Sequence, residues 1–258
     1  MSKTAKQRRI CLLDEVRGFC VFSMIVYHAL AFLGHQYGLS FGTKFYTLTS
    51  PLEPWFAGVF ILICGMCCHL SHSNFKRGII LAFIAAAISV ATIVFLPKIG
   101  VNVPVWFGIL HLLSTGILLY ALFSRTLGKL SPMAGIIIFA ILFLLFRNIV
   151  SGTIGLGGVL EWHIPEAWHQ NPYLFPLGII SKDFFSTDYF PVFPYVFLFL
   201  TGTYMGAYFS ERTLPEYTYK KRIPALDWLG THALLIYVLH IPATYLIAEC
   251  VLRIIRRK

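Results

Sequence analysis

Apolar residues in this chain run in long blocks instead of alternating with polar ones, and seven blocks stand out: residues 19–33, 55–70, 78–96, 105–123, 133–150, 190–209 and 229–251. Each approaches or exceeds the roughly 18 residues that carry a helix across a bilayer core. The second reaches that length only if it begins near Pro51. The pattern predicts an all-α, multi-pass transmembrane bundle of about seven spanning helices. No linker, low-complexity tract or repeat interrupts it, so residues 1–258 read as one membrane-embedded domain. The connection from 151 to 189 is too long for a turn and is expected to form a long outer loop.

Composition agrees: 57% of residues are apolar and 12% charged, more hydrophobic surface than a soluble core of this size can hide. The net charge of +10 would suit nucleic acid if it formed one patch, but it alternates between successive loops. An N-terminus in the cytoplasm puts Lys3, Lys6, Arg8 and Arg9 inside, then Lys76 and Arg77, then Arg125 and Lys129, then Arg212, Lys220, Lys221 and Arg222. The outer connections keep only Lys44, Lys98 and Lys182. Seven full spans would leave Arg253, Arg256, Arg257 and Lys258 outside, against that rule. Either the last segment, kinked at Pro242, stops short of crossing, or its basic end snorkels to the headgroups. Asp14, Glu15 and Arg17 at the entrance of the first block, with no small-residue cleavage site after it, mark an uncleaved span.

Ionisable groups inside such blocks are costly and are therefore candidates for function. Arg17 and His28 are eleven residues apart, which places them within roughly 20° of one helical stripe and about 16 Å apart along the axis. Arg17 falls near the mouth of the span and His28 deeper. His111 and His240 lie within two further blocks, and histidines on several helices also permit haem ligation, which keeps a membrane electron-transfer protein as an alternative. The outer loop holds Glu161, His163, Glu166, Trp168, His169, Asp183 and Asp188, without the spacing of a metal site. Its aromatic residues suit either a polyol-binding rim or an anchor at the headgroups. Cys64 and Cys67 have CxxC spacing but sit inside an apolar helix, where small-residue packing is expected. A small transporter or flippase is a third class, and the lack of an internal two-fold repeat counts against it.

Leu13-Asp14-Glu15-Val16-Arg17-Gly18 followed by Met24-Ile25-Val26-Tyr27-His28 resembles the opening helix of the heparan-alpha-glucosaminide N-acetyltransferase catalytic-domain family. Phe60 through Met66, Trp106-Phe107-Gly108-Ile109-Leu110-His111, Asp188 through Tyr195, and Leu229-Gly230 through Tyr237 and His240 are similar to later family segments, in order, across residues 10 to 243. Cys64 stands where serine is frequent. The Arg-to-His spacing also resembles related bacterial O-acyltransferases of surface polysaccharides.

The resemblance implies an acyl-CoA-dependent membrane acyltransferase. It would move an acetyl or other acyl group from cytoplasmic acyl-CoA to an amine or hydroxyl, such as that of a sugar, at the outer face. It implies acetyl-CoA as co-substrate with no permanently bound cofactor, and a place in a bacterial cytoplasmic membrane, with a homo-oligomer as one allowed assembly. On this reading CoA phosphates dock against Arg17 and some of Lys76, Arg77, Arg125 and Lys129. Asp14 holds the Arg17 guanidinium, and His28 acts as general base or as a covalent acetyl carrier. In the animal lysosomal branch the catalytic histidine lies in the loop after this helix; His35 occupies that loop here at a shorter spacing, and His28 is preferred. His111, Asp188, Tyr237 and His240 are expected to orient His28 or the acceptor.

Overall fold

The computed structural model describes residues 9–69, 71, 73–158 and 160–256, with the side chains of 35, 36, 249 and 251–256 left out. Lys3, Lys6, Arg8, Arg257 and Lys258 lie outside the described residues, as do the side chains of His35, Arg253 and Arg256.

The chain is built from α1 (Cys11–Tyr37), α2 (Ser40–Thr49), α3 (Glu53–His69), α4 (Asn74–Val90), α5 (Ile109–Leu127), α6 (Pro132–Phe146), a short α7 (Glu166–His169), α8 (Val192–Ser210), α9 (Pro224–Thr231) and α10 (Ala233–Arg256). Among the described residues six helical stretches are long and apolar enough to cross a membrane, and the bent pair α9–α10 brings the number to seven if it counts as one span. The bundle expected from the hydrophobic blocks is therefore present. Among the described residues the strands form one hairpin, β1 (Thr153–Leu156) with β2 (Leu160–His163), inside the 151–189 loop, antiparallel with Thr153 opposite His163.

Three boundaries differ from the expectation. α1 runs on to Tyr37, because its first left-handed residue is Gly38, so His35 lies in the last turns of the helix and not in a loop after it. Residues 105–108 are not helical, because this strip pairs with the chain before α8: the Phe190 N–H donates to Phe107 O at 3.0 Å and the Thr187 N–H to Pro104 O at 2.8 Å. The last segment does not break at Pro242, which α10 carries inside it. It breaks earlier, by 88° between α9 and α10. There Thr231 Oγ1 donates to Asp227 O and Trp228 O, and His232 Nδ1 bonds Trp228 O at 2.9 Å. These side-chain bonds share the carbonyls of the last turn of α9, where the His232 N–H also donates to Trp228 O at 3.1 Å.

The chain gathers into two compact units, residues 1–60 with 214–258, and residues 61–213. In the second unit α3 crosses α8 on glycine. A Cβ on Gly65 would lie 2.1 Å from Phe199 O, and one on Gly202 2.1 Å from Leu62 O. Gly202 and Gly206 form a small-xxx-small face that lets two backbones touch, so the CxxC stretch around Gly65 sits at a helix crossing. The 151–189 loop packs through Ile164 and Ile179 on Ile149, with Phe146 and Phe193 against this cluster.

Candidate functional site

In the first unit, α1 and α9 cross backbone to backbone. A Cβ on Gly18 would lie 1.9 Å from Leu226 O, and one on Gly230 1.8 Å from Asp14 O. Only hydrogen fits between them. This contact brings the acidic start of α1 against α9 and the chain leading into it. Glu15, 5% exposed, accepts the N–H groups of Arg222 and Ile223 at the foot of α9, where a helix N-terminus favours negative charge.

Around this crossing, charges alternate in sign. Arg17 Nη1 lies 3.0 Å from Asp14 Oδ1; Asp14 Oδ2 also meets Arg9 at 2.8 Å; Arg9 reaches Asp227 at 3.4 Å; and Lys221 Nζ sits 2.7 Å from Asp227 Oδ2. Arg17 also reaches Gly230 O at 3.4 Å. The hydrogen bond that Arg9 donates to Asp14 raises the pKa of Arg9 above its ordinary value, so the guanidinium stays charged. The Asp14 and Arg17 side chains are 14% and 17% exposed, whereas those of Arg9 and Lys221 are about half exposed. The sequence alone did not single out Glu15, Lys221 or Asp227 for this cluster. An acid at 227 within four residues of an apolar block was the available signal.

Further along α1, half-buried His28 faces α10. Its ring lies 5.2 Å from that of His240, tilted by 44°. Tyr237 packs on His240 at 5.4 Å, and Tyr27, beside His28, packs on Tyr46 of α2 at 5.2 Å. Arg17 and His28 thus both meet the bent C-terminal pair, one at α9 and the other at α10. Tyr27, and Tyr46 packed on it, add two phenols beside the His28 ring that no motif in the sequence marks.

His111 and Asp188 belong to the second unit, where they hold the start of α5. The Asp188 carboxylate accepts the Ile109 N–H at 3.1 Å, and a Cβ on Gly108 would collide with it at 2.0 Å. His111 Nδ1 accepts the Gly108 N–H at 3.2 Å, which leaves Nε2 to donate to Ser89 Oγ at 3.1 Å. Ser89 donates in turn to Val105 O at 2.7 Å. Both ring nitrogens of His111 are engaged in these bonds. Tyr189, next to Asp188, donates to Phe175 O at 2.6 Å, and burial raises its pKa.

Lys76 and Arg77 in the first turn of α4, Arg125 in the last turn of α5, and Lys129 just beyond it stand at one end of an antiparallel helix pair in the second unit. In the loop, His169 Nδ1 bonds Ile180 O at 2.8 Å and Glu166 pairs with Lys182 at 3.6 Å. Among the described residues no three His, Cys, Asp or Glu side chains gather as a metal site would need.

Residues 9–242 match the family described as heparan-alpha-glucosaminide N-acetyltransferase, catalytic. No curated protein and no solved structure matches the chain.

Proposed function

Because the chain belongs to the heparan-alpha-glucosaminide N-acetyltransferase catalytic family, we propose that it takes an acetyl group from acyl-CoA at the cytoplasmic end of α1 and passes it to a sugar amine or hydroxyl arriving from the outer side. The observation that carries this reading is the His28–His240 ring pair, set between α1 and α10 beyond the charged cluster at the start of α1. Arg9 and Lys221, the more exposed cations of that cluster, meet the CoA phosphates. Arg17, tied to Asp14 and Gly230, holds the mouth in shape.

His28 takes the proton of the acceptor O–H or N–H as its lone pair attacks the thioester carbonyl. The new C–O or C–N bond forms, the C–S bond breaks, and CoA leaves as the thiolate, which is reprotonated afterwards.

The test uses protein reconstituted in vesicles with labelled acetyl-CoA and a panel of amino sugars and neutral sugars. Wild type is expected to label an acceptor, and His28→Ala to retain a thermal shift with acetyl-CoA while losing transfer. Full turnover by His28→Ala would overturn the assignment. A wild-type protein that neither binds acetyl-CoA nor transfers label would overturn the function itself.

A further inference from the structure

His240 is 7% exposed, and its Nε2 is the one buried side-chain nitrogen or oxygen among the described residues without a hydrogen-bond partner. Its other nitrogen is committed. Nδ1 bonds the carbonyl of Tyr237, three residues earlier on the same helix, and a carbonyl can only accept, so Nδ1 carries the proton. Nε2 is therefore a bare lone pair held in a fixed orientation. A buried acceptor left in this state costs free energy unless a donor reaches it during function. The His28 ring packs against the His240 ring at a centroid separation of 5.2 Å, with its nitrogens outside hydrogen-bond reach of Nε2.

We infer that His240 is the second member of a two-histidine proton relay: a positioning residue whose Nε2 receives the proton that His28 takes from the acyl acceptor. This rests on the reading of His28 as the base. When His28 gains the acceptor proton at one nitrogen, rotation of its ring brings the other N–H to His240 Nε2 and gives it a proton, so His28 returns to neutral and His240 becomes the cation. That proton later leaves to the CoA thiolate or to water, and nothing is oxidised or reduced. The physical gain is that a lone imidazolium among apolar side chains is costly, whereas two rings share the charge and the Tyr237 carbonyl stabilises it through Nδ1–H. The groups facing His240 are His28 on α1 and Tyr237 on its own helix.

Two variants separate this role from packing. His240→Phe keeps a ring in the space, and His240→Gln offers a carbonyl oxygen near the Nε2 position that accepts a hydrogen bond but not a proton. In the reconstituted assay, His240→Phe is expected to lower kcat by about 10²-fold with the KM of donor and acceptor little changed. His240→Gln is expected to recover about tenfold of that loss, because it can still stabilise the His28 cation by a hydrogen bond. Equal kcat for both variants and wild type would mean that Nε2 holds only water, and would overturn the relay while leaving acetyl transfer intact. Equal loss in both variants, or loss carried by KM, would also overturn it. If neither variant folds, nitrogen NMR of wild-type protein labelled at histidine decides: the relay requires a bare Nε2 and a protonated Nδ1 at His240, and the opposite tautomer refutes it. Failure of the acetyltransferase reading shows separately, as a wild-type protein without transfer.

Discussion

Replacing Gly18 by alanine should destabilise this protein although it improves the local helix. In an isolated helix Gly→Ala is favourable by about 1 kcal/mol. Here the added Cβ would sit 1.9 Å from Leu226 O and 2.9 Å from Gly230 N, where carbon and carbonyl oxygen normally approach to about 3.3 Å. Both obstacles are backbone atoms, so no side-chain rotation relieves them, and α1 and α9 must part by more than about 1 Å. Overpacking of this kind costs about 1–3 kcal/mol, and separation also weakens the Arg17 contact to Gly230 O, worth about another 1 kcal/mol. After the propensity gain, the net expectation is a loss of about 2 kcal/mol. Gly100→Ala is the control: Gly100 has φ +79 and open space around it, so it pays only left-handed strain of about 1–2 kcal/mol. Unfolding in detergent micelles followed by tryptophan fluorescence measures both. Gly18→Ala combined with Gly230→Ala should cost less than the two single changes added together, because parting the helices once relieves both clashes. A Gly18→Ala protein as stable as wild type, or fully additive costs, would refute the backbone-on-backbone crossing.

Asp188→Ala should cost about 1–2 kcal/mol by removing the acceptor at the first N–H of α5, while Asp188→Asn keeps an acceptor and should cost less; equal losses in the same unfolding assay would count against the capping role. At Tyr189, burial, with Tyr195 nearby, raises the phenol pKa above its ordinary value near 10. The folded state therefore holds that proton more tightly than the unfolded chain. The resulting stabilisation is complete below about pH 10 and is lost as pH rises beyond it. Tyr189→Phe should flatten the alkaline fall in stability; an unchanged slope between pH 9 and 12 would contradict the burial of that group.

The hydrophobic blocks determined that the chain is a multi-pass helical bundle and the order of its long helices, because a bilayer demands long apolar helices and the sequence either has them or does not. They also determined that Arg17 and His28 share a stripe, since helical periodicity alone places residues eleven apart on one side. Periodicity could not say what that stripe meets. That α9 lies on Gly18, that α10 brings His240 to His28, and that Lys221 and Asp227 join Arg9 and Asp14 are contacts between residues about 200 positions apart. Such contacts depend on how helices dock, which no local pattern records. The same limit applies to His111 and Asp188, polar groups in or beside apolar blocks that could have served chemistry or structure. Their hydrogen bonds to Ser89, Gly108 and Ile109 tie them to the start of α5. Sequence thus determined which groups are expensive to bury, and the tertiary structure decided which of them found partners and which, like His240 Nε2, did not.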